Sequence, residues 1–239
     1  MVKGNFISPR IIKNMDLAEH YNNLYQNSID KIKTEGCKTD PLIKSPTDNR
    51  FGITLLIRPP LLVKKRIEIF LNELKNIDNQ QYYYPLSDIH ITLMSIISCA
   101  HGFELKNISI PDYIQIVEES IQDVEKFMFK FKGITASTST IMIQGFYGEI
   151  LNTLRNNLRV NFQKSNLEQT IDKRYSIKTG HSTVVRFQNK LKHENNYLNV
   201  LEKYKDFDFG KFDVNRVELV FNDWYQRKEH VRTLSYFDI

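Results

Sequence analysis

"DIHITLMSII", residues 88–97, is an apolar run interrupted at two positions two residues apart, His90 and Thr92. Short apolar runs rich in β-branched residues form buried strands. Side chains alternate faces along a strand. His90 and Thr92 therefore share one face, and Ile91 and Leu93 pack behind it. "GHSTVVRF", residues 180–187, repeats the arrangement with His181 and Thr183. The same alternation turns Arg186 away from the second pair. Two such strands facing one groove would bring two imidazoles and two hydroxyls together.

The surrounding pattern supplies the rest of a domain. "FGITLLIRPP" reads as a strand stopped by Pro59 and Pro60. A helix follows, with apolar positions 62, 63, 67, 70, 71 and 74 on one stripe. After the first His-x-Thr strand comes the helix "PDYIQIVEESIQDVEKF". Next stands a strand–turn–strand over "MFKFKGITASTSTIMIQGFYG", with Gly133 permitting the turn and the hydroxyl-rich stretch bordering the groove. The second half repeats the theme. Ile150, Leu151, Leu154, Leu158 and Phe162 form a helical stripe, "STVVRF" is a strand, and "NNYLNVLEKYKDF" is a helix. "KFDVNRVELVFNDW" and "VRTLSYFDI" close the chain as strands. This order predicts an α+β fold with mostly antiparallel sheets and helices outside.

Residues 1–50 differ. Leu17, Tyr21, Leu24, Tyr25, Ile29 and Ile32 fall at helical spacing, capped by Asp16 or Asn14, and a Pro-containing loop follows. The expected organisation is a helical extension over 1–50 and a single bilobed domain over 51–239.

Composition narrows the class. With 41% hydrophobic residues the chain can bury a core. Cys37 and Cys99 are too few and too far apart for a disulfide framework or a zinc site, and read as free thiols of a cytoplasmic protein. The N-terminal segment lacks a long apolar run, so no signal peptide is expected. Nothing reaches the roughly 20 apolar residues of a membrane span. A net charge of +5 favours anionic partners.

An imidazole exchanges a proton near neutral pH. One histidine can deprotonate an attacking water or hydroxyl, and the other can protonate a leaving oxygen. Threonine hydroxyls can donate to phosphate oxygens where charge develops. The set suits phosphodiester chemistry without a metal or other cofactor. Six histidines, in a chain about one-ninth serine and threonine, give slightly under one such triplet by chance. The weight therefore lies on the placement of the triplets, one in each half.

The motifs "HITL" and "HSTV", with the helix and strand order around them, resemble the two-histidine (2H) phosphoesterase superfamily, in particular its LigT-like and cyclic-phosphodiesterase-like bacterial members. The resemblance spans 51–239. It implies two sheets flanking a central groove, related by a pseudo-twofold axis. It further implies catalytic His90 and His181, phosphate-binding Thr92 and Thr183, and a cyclic phosphate or 2′–5′ phosphodiester of a nucleotide or RNA end as substrate. Some members instead join RNA ends, and some mainly bind nucleotides. A nucleotide-binding sensor, an RNA-end ligase and an interaction protein with a degenerate groove are the alternatives. A monomer is expected. Tyr147, Trp224 and Tyr225 are candidate base-stacking rings, and Tyr82–Tyr84 could rim the groove. Lys132, Arg58 and Arg227 read as solvated surface charges.

Overall fold

The computed structural model describes residues 16–239. The alternative cap Asn14 and the segment 1–14 read for a signal peptide lie outside the described residues. In chain order the elements are α1 (Leu17–Glu35), β1 (Arg50–Ile57), α2 (Leu61–Ile77), β2 (Tyr82–Tyr83), β3 (Ile91–His101), α3 (Ile110–Ile121) and β4 (Phe127–Ala136). They continue with β5 (Thr140–Tyr147), α4 (Glu149–Lys164), β6 (Ser182–Arg186), α5 (Glu194–Tyr204), β7 (Asp208–Val214), β8 (Arg216–Asp223) and β9 (Arg232–Asp238). No described helix is long and apolar enough to cross a membrane.

Two antiparallel sheets carry the molecule. One has the order β3-β1-β8-β9, the other β2-β6-β5-β4-β7. The two His-x-Thr strands thus lie in different sheets. The run 211–224 is two strands, not one: β7 and β8 meet at Asn215 and belong to opposite sheets.

The helices form where the apolar spacing places them. Asp16 caps α1, accepting from the Ala18 and Glu19 amides at 2.9 and 3.2 Å. That helix buries Tyr21, Tyr25, Ile29 and Ile32 and packs on β4. Val63, Ile67, Phe70, Leu71 and Leu74 make the buried face of α2. Leu62 faces solvent instead, because at 100° per residue it lies about 120° round from that face.

Gly133 does not make a turn. It sits inside β4 with φ +74°, in a bulge opposite β5, and its amide donates to the Phe207 carbonyl at 2.7 Å. A Cβ there would strike the Lys205 carbonyl. The turn is made by Ser137–Ser139, whose Ser137 hydroxyl accepts from the Ser139 and Thr140 amides at 3.2 and 3.1 Å.

Candidate active site

Each histidine stands one residue before its strand, at the edge of a groove between the sheets. His90, Thr92, His181 and Thr183 all line this groove, which has a volume of about 170 Å³. Thr54, Ser95, Ser98 and Thr170 add hydroxyls to its wall, and Tyr84, Arg174, Tyr175 and Arg186 line it too.

Bulges decide which side chains face inward. On β3, Thr92 pairs with Leu56 and Met94 with Leu55, so Leu93 is an extra residue. Ile96 is extra in the same way, between Ser95 opposite Thr54 and Ile97 opposite Ile53. Exposure consequently repeats every three residues: Thr92, Ser95 and Ser98 are half-buried and face the groove, while Leu93 and Ile96 are buried. On β6, Thr183 pairs with Met142 and Val185 with Ile141, which leaves Val184 extra. Val184 and Val185 are both fully buried, and the phase of the strand changes there. Arg186, which strict alternation turns away from the groove, is thereby returned to it. Its Nε donates to the Tyr84 hydroxyl at 2.9 Å, and its nearest carboxylate, Asp40, is 3.8 Å away.

The imidazoles are held at Nδ1. That of His90 donates to the Asp88 carbonyl at 2.7 Å. A carbonyl only accepts, so Nδ1 carries the proton and Nε2 of the neutral ring is bare. His181 Nδ1 lies 2.9 Å from the Thr179 hydroxyl, which can serve either tautomer. Burial lowers the pKa of His90 to about 4, against the support of the Asp88 carbonyl, with Arg58, His181 and Arg186 adding repulsion. Burial, then Arg155, Arg186 and His20, lower that of His181 to about 4.

Arg155 on α4 was not singled out by the sequence reading. It occupies the helix's apolar face with Leu151, Leu154, Leu158 and Phe162, and is 1% exposed. Its guanidinium donates to the Leu93 carbonyl (3.0 Å), the Thr92 carbonyl (3.4 Å), the Thr179 carbonyl (2.8 Å) and the Tyr147 hydroxyl (3.0 Å). An arginine inside a leucine stripe is the sequence clue that could have found it.

Three aromatic expectations divide. Tyr147 does not line the groove; its ring stacks on Phe129 and its hydroxyl donates to the Lys178 carbonyl at 2.9 Å, bracing the segment before His181. Tyr225 lines the groove but is 1% exposed, its ring set among the guanidinium groups of Arg50, Arg186 and Arg227. It holds cations rather than offering a face to a base. Trp224 lines the groove with Arg50 and Arg174 over its ring, at 4.7 and 4.3 Å from the centroid. Arg58 and Arg227 are not free surface charges, since they pair with Glu218 (3.0 Å) and Asp223 (2.6 Å). The stretch 133–145 contributes no residue to the groove lining.

At one end of the groove, Asn222 and Gln226 are almost fully buried, and neither Oδ1 nor Oε1 has a donor among the described residues. Gln226 also holds a positive φ of 61°. The loop after α4 closes another wall. The Thr170 hydroxyl accepts from the Ser98 amide at 2.7 Å, and Asp172 pairs with Arg159 at 2.6 Å. With Asp172 so engaged, Arg174 and Arg186 leave the groove positive.

Two antiparallel sheets facing across a groove, with one His-x-Thr motif carried by each, is the architecture of the two-histidine phosphoesterase superfamily. The chain belongs to the family described as the AKAP7 2′5′ RNA ligase-like domain, whose model matches residues 51–231. Solved structures agree on the fold. TT0787 of Thermus thermophilus superposes with a TM-score of 0.58 at 15% identity, over 78% of this chain and 97% of that one. A structure described as a phosphoesterase gives 0.53 at 12%, over 79% and 98%. E. coli LigT complexed with NADP+ gives 0.52 at 11%, over 80% and 98%. No curated protein sequence matches the chain.

Proposed function

We propose that this chain is a phosphodiesterase that hydrolyses a cyclic phosphate or a 2′–5′ phosphodiester of a nucleotide or RNA end, using His90 and His181 as general acid and base. The observation that carries the reading is the meeting of both imidazoles, both threonine hydroxyls and Arg186 around one groove. One imidazole removes a proton from the attacking oxygen, and the other delivers one to the leaving oxygen. The ester oxygen that each ring faces decides which does which. Thr92 and Thr183 donate to the non-bridging oxygens, and Arg186 balances the charge that builds there. This scheme supplies acid, base and charge stabilisation from side chains alone.

Size supports a nucleotide-type ligand. A groove of about 170 Å³ is well below the roughly 300–1,000 Å³ of sites that enclose a whole ligand. It suits a phosphodiester and its adjoining sugar, with the remainder lying along Arg174 and Trp224. E. coli LigT, of the same fold, holds NADP+ in one of its structures.

A second reading, a nucleotide sensor without turnover, is favoured by one observation. With both imidazoles at a pKa of about 4, neither carries a proton at pH 7. Hydrolysis then requires the bound anion to raise one of them. Incubation with a panel of 2′,3′-cyclic nucleotides and 2′–5′ oligomers, followed by product analysis, decides. Opened or cleaved product, lost in His90→Ala and His181→Ala, supports hydrolysis. Ligand recovered intact supports the sensor, and joined RNA ends would support ligation.

A further inference from the structure

The two motif strands share no ladder, yet one side chain is bonded both to β3 and to the segment that leads into β6. Arg155 donates from all three guanidinium nitrogens, and its four acceptors are uncharged. Two of them, the Thr92 and Leu93 carbonyls, belong to β3. A third is the Thr179 carbonyl, whose residue also supplies the hydroxyl beside His181. The fourth, Tyr147, donates onward to the Lys178 carbonyl one residue earlier.

We propose that Arg155 is a positioning residue that fixes the separation of Thr92 and His181 across the groove, so that one phosphate meets both. The proposal rests on reading the groove as a phosphodiester site. Its physical basis is the shape of the guanidinium. Five N–H donors leave it in one plane at fixed directions, so a single group can hold carbonyls of β3 and of the segment before His181 together. A lysine ammonium is a compact donor on a flexible stem and cannot hold that spread. Burying a cation among neutral acceptors is costly, and leucines fill the neighbouring positions of the same face. A leucine at 155 would pack the helix but would leave the Thr92, Leu93 and Thr179 carbonyls without this donor.

The charge of Arg155 also bears on His181, alongside Arg186 from β6 and His20 from α1. Tyr147 of β5, Tyr21 of α1 and Arg159 one turn along α4 are the other titratable groups acting on Arg155 itself.

Arg155→Lys and Arg155→Ala separate geometry from charge. With a 2′,3′-cyclic nucleotide as substrate, both variants should lose about a hundredfold in kcat, the usual scale for a misplaced reacting group, with KM changed only a few-fold. Guanidinium ion, well below denaturing concentration, should restore part of the Ala variant's turnover. The titration midpoint of His181, followed by NMR, should rise in the Ala variant and stay low in the Lys variant. Wild-type kcat in folded Arg155→Lys would overturn the proposal. If the Ala variant does not fold, the Lys variant decides alone. If the wild type turns over no substrate, the phosphodiesterase reading fails, and inorganic phosphate becomes the probe. In the wild type, Thr92 and His181 resonances should then shift together at one phosphate concentration, and in Arg155→Lys they should not. An unchanged joint response in that variant would overturn the positioning role.

Discussion

His90 and His181 are neutral at pH 7 because burial holds each at a pKa of about 4, below the roughly 6.5 of a free imidazole. In the unfolded chain the same rings titrate near 6.5. Between about pH 6.5 and 4 the unfolded state therefore binds more protons than the folded one. Their contribution to stability is present in full above that window and is lost as the pH falls through it. Urea unfolding at pH 7 and pH 5 should show the loss, and His90→Asn or His181→Asn should each make it smaller. An equal loss in the variants would place the acid sensitivity elsewhere. In turnover, either substitution should cost at least about a hundredfold, the scale of general acid–base help, with circular dichroism unchanged. The two histidines and two threonines were legible because a strand's period of two turns spacing directly into a shared face. Arg186 was not, since a single unpaired residue, Val184, reverses the count between it and Thr183. Arg155 was masked by a leucine stripe whose spacing is explained as well by packing.

The bulges decide which side chains of β3 and β6 face the groove. Deleting Val184 would restore a regular ladder to β6 and turn Arg186 off the groove. We expect KM for a phosphodiester substrate to rise at least tenfold while the Thr183 and His181 positions keep their place. An unchanged KM would show that Arg186 does not meet the phosphate. The segment before His181 is fixed by contact as well as by hydrogen bonds. A Cβ on Gly145 would run into the Gly180 carbonyl and the Phe129 ring, and one on Gly180 would lie 2.8 Å from the Tyr147 ring. Gly145→Ala should therefore push the 179–181 segment outward and cut kcat more than it lowers the thermal midpoint. Gly145 lies inside β5, two residues before its end. Its actual role depends on a neighbour 35 positions away, which no local pattern encodes.

Across the whole molecule, α1 stands behind the second motif. Tyr21 is fully buried, donates to the Gly145 carbonyl at 3.3 Å, and accepts from the Thr135 hydroxyl through its own carbonyl at 3.1 Å. Removing residues 1–35 would uncover the faces that receive Tyr21, Tyr25, Ile29 and Ile32. Each large apolar side chain returned to water costs about 1.5–3 kcal/mol. Thermal unfolding of the truncated chain should show a midpoint lower by many degrees, and turnover should fall with the loss of the Gly145 brace. A truncated chain with the original midpoint would make the helix a passive appendage.

The strand order has a consequence for how the protein comes into being. In the four-stranded sheet, β1 pairs on one side with β3, made soon after it, and on the other with β8, which follows about 160 residues later. Until β8 emerges from the ribosome, the inner edge of β1 is bare, and Asn222 and Trp224 are not yet present to finish the groove. Between the synthesis of β3 and that of β8 the nascent chain therefore carries its first histidine strand on a half-built sheet with an open, apolar edge that invites pairing with other chains. Long-range pairing of this kind is slow to form. Capacity to act on a substrate should thus appear late and all at once, when β8 slots between β1 and β9.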